Sequence, residues 1–170
     1  MSTGDASYAP ALEGHVSGAR RRFAVVVSRF NAQVTETLLH GAMGGLLEHG
    51  VTRDAVDVFW VPGAWELPQA VGWLANRGDY AAILALGCLV RGHTAHFELI
   101  AAEVARGLAD AARVSGLPVA FGVLTTENRE QAMERADPEH GNKGRETALA
   151  ALEMAELRRR VEPRPDSGAR

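Results

Sequence analysis

The stretch from Gly92 to His96 holds the residues whose types and spacing are best suited to chemistry. The imidazole of His96 can take and give a proton near neutral pH, while main-chain N–H groups and the Thr94 hydroxyl can bind an anion. If this stretch begins a helix, the helix dipole disfavours imidazolium, so His96 is neutral and available as a base. A purely structural histidine is the alternative. His93 and His96 have an i, i+3 spacing that could suggest a metal pair, but no third ligand stands out, and we expect no metal.

Further groups that could bind a ligand lie elsewhere in the chain. Phe30 could offer a flat platform to a planar ligand, or could act as a hydrophobic staple for a following helix. Glu66 stands at a predicted helix start, where it could accept hydrogen bonds from hydroxyl groups or simply match the helix dipole. Ala64 beside it could offer main-chain N–H and C=O groups. Arg135 and Lys143 flank a glycine-containing loop, where they could clamp an anion or remain solvent-exposed charges.

The central candidate stretch lies between a strand pattern and a helix pattern. The run Ala82 to Val90 is unbroken and apolar, which is typical of a strand buried on both faces. Cys88 within it is expected to be an inert small hydrophobic residue. Apolar residues then recur at helical spacing from Phe97 to Leu108. We therefore predict a long helix whose first turn holds residues 93–96.

Strand and helix patterns alternate along the whole chain. Three more strands are predicted at Phe23–Val27, Val56–Val61 and Val119–Leu124. Alternation implies right-handed crossovers and a parallel sheet, so we predict an α/β fold of the flavodoxin-like type, a three-layer α/β/α sandwich with a four-stranded parallel sheet. The groups that follow the strands should gather at one edge of this sheet, where ligands bind in such folds. These groups are Phe30-Asn31, Gly63 to Glu66, Gly92 to His96 and Thr125-Thr126.

Composition and charge are those of a globular domain. The 170 residues suffice for one domain with a core, and the net charge of −3 gives no general attraction to nucleic acid or to an anionic membrane. The single cysteine rules out an intramolecular disulfide, and no apolar run approaches the roughly 20 residues of a membrane helix. The first residues lack a signal-peptide pattern. We expect a cytoplasmic protein with one domain at 12–160, a disordered N-terminal tail at 1–11, a C-terminal tail at 161–170, and a short edge strand at 12–16.

Five motifs resemble those of one known family. They are Ser-Arg-Phe-Asn at 28–31, Val-Pro-Gly-Ala-Trp-Glu-Leu-Pro at 61–68, Leu-Gly-Cys-Leu-Val-Arg-Gly-His-Thr-Ala-His-Phe-Glu at 86–98, Phe-Gly-Val-Leu-Thr-Thr-Glu-Asn at 121–128 and Gly-Asn-Lys-Gly at 141–144. In this order and spacing they resemble 6,7-dimethyl-8-ribityllumazine synthase over about residues 12–160. His93 departs from the family pattern, in which a small, acidic or amide side chain is more usual.

The resemblance implies a transferase of riboflavin biosynthesis. Family members condense 5-amino-6-(D-ribitylamino)uracil with 3,4-dihydroxy-2-butanone 4-phosphate at the penultimate step, release phosphate and water, and need no metal or organic cofactor. They share the fold predicted above and form homopentamers, which in some members assemble into sixty-subunit shells. The short turn at 136–144 and the segment at 12–15 favour the shell here. Riboflavin synthase is a possible partner.

The resemblance also implies a role for each candidate residue. Phe30 would stack on the pyrimidine ring with Asn31 in the same subsite, and His96 would transfer protons. The other pyrimidine and ribityl contacts would come from Ala64, Trp65, Glu66, Cys88, Leu89, Val90 and, from the adjacent subunit, Phe121. The phosphate contacts would come from Gly92, His93, Thr94, Arg135 and Lys143.

Other functions are compatible with this fold class. A flavodoxin-like nucleotide binder or a dehydrogenase would carry a glycine-rich loop after the first strand, where this chain has residues 28–31 instead. A response regulator would carry an acidic cluster there. A non-catalytic flavin- or lumazine-binding protein or a shell scaffold is the remaining alternative, although His96, Arg135 and Glu66 argue against it.

Overall fold

A four-stranded, all-parallel sheet forms the centre of the molecule. The computed structural model describes residue 18 and residues 20–162. The strands run in the order β2-β1-β3-β4 across the sheet, with the bounds β1 (Phe23–Ser28), β2 (Val56–Val61), β3 (Ala82–Val90) and β4 (Val119–Thr126). The tail predicted at 1–11, the strand predicted at 12–16 and positions 163–170 lie outside the described residues.

Five helices cover the two faces of the sheet. They are α1 (Ala32–Glu48), α2 (Leu67–Ala75), α3 (His96–Ser115), α4 (Arg129–Ala136) and α5 (Lys143–Val161), with single 3₁₀ turns at Arg53–Ala55 and Ala64–Glu66. Buried residues of α1, α4 and α5 form one core with the sheet, and those of α2 and α3 form the other. The predicted flavodoxin-like three-layer α/β/α fold is confirmed. No helix in the described part of the chain has the length and hydrophobicity to cross a membrane.

The alternation of side chains along β1 accounts for its continuous apolar sequence. Phe23, Val25 and Val27 belong to the core with α1, α4 and α5, whereas Ala24 and Val26 belong to the core with α2 and α3. All five are fully buried. A strand in the middle of a parallel sheet has no solvent-facing side, so every position favours an apolar residue.

Small residues bring α1 and α5 into close contact. A Cβ atom added to Gly144 would lie 2.0 Å from the carbonyl oxygen of Leu38, and one added to Gly41 would lie 2.4 Å from the Asn142 side-chain oxygen. Only glycine permits this approach of one backbone to the other. The contact fixes the first turn of α5, and with it Lys143.

The predicted start of α3 is wrong. The helix begins at His96, and residues 93–95 form a bend before it instead of its first turn. Apolar positions that pack α3 onto the rest of the fold begin only at Phe97 and Ile100. Helix formation depends on such packing, and Gly92 adds no helix propensity before it.

Candidate active site

A cleft of about 320 Å³ opens at the carboxyl edge of the sheet. It lies between the ends of β1, β2 and β3 and the start of α3. Ten of the predicted site residues line it, namely Phe30, Asn31, Ala64, Trp65, Cys88, Leu89, Val90, Gly92, Thr94 and His96, together with Gly63, Phe97 and Ile100. This is the edge at which parallel α/β sheets bind ligands.

Phe30 and Asn31 form the wall of the cleft after β1. The main-chain N–H of Arg29 donates to Val61 at 2.8 Å and that of Phe30 donates to Pro62 at 3.1 Å, so the pairing with β2 continues past the strands. Asn31 then adopts a left-handed conformation, with φ of 61°, and turns the chain into α1. The Phe30 ring is 69% exposed. Such exposure argues against a packing role and leaves one aromatic face open to a planar ligand.

The turn after β2 forms the second wall. One carboxylate oxygen of Glu66 accepts a hydrogen bond from the main-chain N–H of Gly63 at 2.9 Å. Glu66 itself does not line the cleft, although Gly63, Ala64 and Trp65 before it do. Glu66 therefore shapes this wall in the single chain, and its other oxygen is left for further contacts. Trp65 is 56% exposed and contributes a second open aromatic surface.

The end of β3 forms the floor. Cys88 is buried, as predicted, and burial raises the pKa of its thiol to about 11. A thiol with so high a pKa is protonated at neutral pH and is a poor nucleophile. Its main-chain carbonyl accepts a hydrogen bond from the side-chain amide of Asn31 at 2.9 Å, which joins the floor to the first wall.

His96 and Thr94 stand at the open side of the cleft, near the start of α3. His96 is the first residue of α3 and is exposed, and the helix has no side-chain cap. The first N–H groups of any helix lack partners within it, so an anion could bind at this end. His93 is exposed but does not line the cleft. The structure thus brings His96 to the cleft, whereas for His93 only a contact through its main-chain N–H was predicted.

Phe121, Arg135 and Lys143 lie in a second cleft, of about 240 Å³, along the open edge of β4. Phe121 is 50% exposed there. Arg135 is exposed and its side chain makes no hydrogen bond or ion pair with other residues of the described chain, whereas Lys143 pairs with Glu146 at 2.5 Å. A Cβ on Gly141 would lie 2.7 Å from the Arg135 backbone, so the α4–α5 turn is tight at this point.

The two clefts have no lining residue in common. A single chain therefore divides the predicted site residues into one group around His96 and Phe30, and another around Arg135 and Phe121. Sequence analysis anticipated this separation only for Phe121, which it assigned to an adjacent subunit.

No functional role was predicted for Arg91, although its neighbours Val90 and Gly92 both line the cleft. Its guanidinium pairs with Glu98 of α3 and with Glu127 after β4. The sequence around Arg91 does not indicate these two partners, because Glu127 is distant from it in the chain. Among the described residues, no group of three or more histidine, cysteine, aspartate or glutamate side chains is arranged to hold a metal.

A comparison with protein families agrees with the fold and with the motifs. The family described as 6,7-dimethyl-8-ribityllumazine synthase matches residues 20–159 of the chain. The matched range contains both clefts and every candidate site residue. The chain therefore belongs to the 6,7-dimethyl-8-ribityllumazine synthase family, whose members are transferases of riboflavin biosynthesis.

Proposed function

We propose that this protein condenses 5-amino-6-(D-ribitylamino)uracil with 3,4-dihydroxy-2-butanone 4-phosphate to form 6,7-dimethyl-8-ribityllumazine, phosphate and water. The observation that carries the proposal is the cleft itself. It combines an open aromatic face on Phe30, main-chain groups at the end of β3, and a histidine beside a helix start that can bind an anion. Membership of the family supports the same reaction class.

The pyrimidine ring would stack on Phe30 and form hydrogen bonds with the polar groups around it. Asn31 and the main chain of Cys88, Leu89 and Val90 line the same cleft. The ribityl chain would run along Ala64 and Trp65, and its hydroxyls could donate to the Glu66 oxygen that Gly63 does not use. Hydroxyl recognition by a fixed carboxylate favours the intended substrate over analogues without the hydroxyl groups.

The phosphate of the second substrate would bind at the start of α3. Gly92 and Thr94 line the cleft there, and N–H groups at a helix N-terminus favour a negative charge. The main-chain N–H of His93 would take part, whatever its side chain does. This places the phosphate close to His96, on the side of the cleft away from Glu66.

Proton transfer would be the task of His96. The amine of the pyrimidine attacks the ketone to form an imine, a neighbouring proton leaves so that phosphate can be eliminated, and a second carbonyl condensation closes the ring. Among the described residues that line the cleft, His96 carries the one imidazole, the side chain most often used for general acid–base catalysis. Holding two substrates together supplies much of the remaining acceleration.

Completion of the site would require a second copy of the chain. Phe121, Arg135 and Lys143 line a separate cleft on the edge strand β4, and we propose that a neighbouring subunit presents them to the cleft around His96. Arg135 would then pair with the phosphate, Lys143 would lie near it, and Phe121 would close over the ring. A homopentamer with five shared sites satisfies this arrangement. A sixty-subunit shell is the larger assembly that we favour, and its interior could hold riboflavin synthase.

Mixing the purified protein with both substrates tests the reaction. We expect lumazine fluorescence and inorganic phosphate to rise together, and neither to rise when one substrate is omitted. A protein that binds lumazine or flavin without any turnover would instead be a non-catalytic relative. Light scattering tests the assembly, because a pentamer whose mass does not change with concentration or phosphate would exclude the shell, and an active monomer would exclude shared sites.

A further inference from the structure

Arg91 connects three elements at the carboxyl edge of the sheet. It follows β3 directly, and its main-chain N–H donates to the carbonyl oxygen of Thr126 at 2.9 Å. This bond extends the pairing of β3 with β4 one residue beyond Val90 and Thr126. The Arg91 backbone is therefore fixed to the end of β4, while its side chain is free to point towards α3.

The Arg91 side chain holds an acidic residue from each neighbouring element. Its guanidinium pairs with Glu98 in the first turn of α3, and its Nε lies 2.7 Å from a carboxylate oxygen of Glu127 in the loop after β4. The guanidinium carbon also lies 4.5 Å from the centre of the Phe97 ring. A single exposed ion pair contributes little to stability. A guanidinium that contacts two carboxylates and an aromatic ring together, however, fixes the position of these groups relative to one another.

The residues next to Arg91, Phe97 and Glu98 have few other contacts that hold them in place. In the described part of the chain, the side chains of His93, Thr94 and His96 make no hydrogen bond, and α3 lacks a side-chain cap. Phe97 follows His96 directly and lines the same cleft. Contacts that hold Phe97 and Glu98 therefore also fix the backbone of His96, from which its ring reaches the cleft.

We propose that Arg91 is a positioning residue that holds the first turn of α3, and with it His96, against the end of β4. The inference rests on the proposed function, in which His96 transfers protons. Arg91 lies outside the group of residues that line the cleft, so it acts through His96 and not on the substrates. The structural part of the proposal, the anchoring of α3, can also be tested without substrates.

Arg91→Lys is the decisive variant, because lysine keeps the charge but loses the planar fork and its stacking on Phe97. Because the contacts of the Arg91 guanidinium with Glu98, Glu127 and Phe97 are lost, we expect kcat to fall about 10-fold. A small displacement of a reacting group is enough to slow the reaction by this amount. The KM for the pyrimidine should stay unchanged, because its subsite is built by β1 and β3. Arg106→Ala is the matched control. Arg106 lies farther along α3 and, within the described part of the chain, forms its one ion pair with Glu103, so its removal should leave kcat at the wild-type value.

A double-variant cycle separates positioning from a direct role. In the His96→Ala background, Arg91→Lys should cause almost no further loss, because the group it positions is already absent. A full, additive 10-fold loss in that background would overturn the proposal. Wild-type kcat in the single Arg91→Lys variant would overturn it as well.

Amide hydrogen exchange provides a readout that needs no activity. Peptides that report residues 99–102, which hold the first hydrogen-bonded amides of α3, should exchange faster in Arg91→Lys than in the wild type, and at the wild-type rate in Arg106→Ala. Unchanged exchange in Arg91→Lys would overturn the anchoring of α3. If the wild-type protein makes no lumazine, the proposed function fails while this measurement still decides the inference. Should Arg91→Lys not fold, Glu127→Gln serves as the second variant, with faster exchange expected in the same peptides.

Discussion

The side-chain amide of Asn31 donates a hydrogen bond to the main-chain carbonyl oxygen of Cys88 across 2.9 Å. The bond joins the turn after β1, a wall of the cleft, to the end of β3, its floor. Asn31 also has a φ of 61°, a left-handed conformation that asparagine tolerates better than most residues. One residue therefore combines a backbone turn with a cross-link between neighbouring strands, directly beside Phe30.

Replacing Asn31 should separate these two contributions. Asn31→Gly keeps the left-handed turn and loses only the hydrogen bond, so we expect a loss of about 1 kcal/mol in the free energy of unfolding. Asn31→Ala also forces a residue with a Cβ into the left-handed region, which adds roughly 1 kcal/mol more. Chemical denaturation of both variants measures the difference. An equal stability of the two would mean that the turn carries no strain.

His96→Ala should slow lumazine formation by roughly 10- to 1000-fold, as expected for the loss of one acid–base group. Binding of the pyrimidine, measured by titration in the absence of the second substrate, should persist because its proposed contacts lie at the ends of β1, β2 and β3. Steady-state assays of lumazine release measure the effect. Wild-type turnover by the variant would remove His96 from the mechanism.

Arg135→Ala should raise the KM for the butanone phosphate far more than the KM for the pyrimidine. The reason is that Arg135 would supply the counter-charge of the phosphate alone. Arg135→Lys should leave the KM for the butanone phosphate nearly as high, because lysine lacks the planar fork that binds phosphate through two hydrogen bonds. Equal changes in both KM values would indicate that Arg135 is structural.

Mixed assemblies test whether the two clefts meet across subunits. His96→Ala damages the first cleft and Arg135→Ala damages the second, so neither homo-oligomer has an intact site. Refolding the two variants together should recover part of the activity, since some sites would pair an intact cleft from each chain. If the mixture is no more active than the separate variants, the proposed sharing is wrong.

Gly144→Ala should destabilise the protein by roughly 3 kcal/mol, because the new methyl group meets the Leu38 carbonyl oxygen and neither backbone can easily retreat. Gly44→Ala is the matched control on α1. A Cβ there meets no atom within 4 Å, so the better helix propensity of alanine should stabilise the chain by about 0.5 to 1 kcal/mol. Thermal or chemical unfolding of both variants distinguishes the contact from the general effect of replacing glycine.

Glu156 should make the stability of the protein depend on acid pH. This carboxylate is buried on α5, and hydrogen bonds from Arg159 and Arg21 hold its pKa well below the usual range. A lowered pKa in the folded state contributes stability above the pKa of about 4.3 of the unfolded chain, and this stability is lost as the pH falls below that value.

Glu156→Gln should therefore lower the free energy of unfolding at pH 7 by roughly 2 kcal/mol. The difference from the wild type should shrink as the pH falls below about 4.3, because this carboxyl group is then protonated in the unfolded chain but still ionised in the folded protein. Denaturation at several pH values measures it. Glu153→Gln, an exposed position on the same helix, should match the wild type throughout. A difference that stays constant with pH would contradict the ion-pair explanation.

The sequence by itself determined the layers of the fold and most of the first cleft. An apolar run such as Ala82–Val90 predicts a buried strand from neighbouring residues alone, and the candidate residues of the first cleft follow such runs within a few positions in the sequence. Parallel strands end at one edge, so the order of elements alone brings Phe30, Ala64 and His96 to one place. The motifs then identified the family, and the family match agrees with them.

Tertiary structure alone decided which side chains pair and how the site is divided. Asn31 meets Cys88 because β1 lies beside β3, and Arg91 meets Glu127 because β4 lies on the other side of β3. Arg21 and Glu156 form their ion pair across 135 positions in the chain. Side chains distant in sequence pair only where the packed sheet and helices make them neighbours, and no local pattern of residues records that arrangement. For the same reason, only the packed sheet showed that the cleft beside Arg135 is separate from the cleft beside His96.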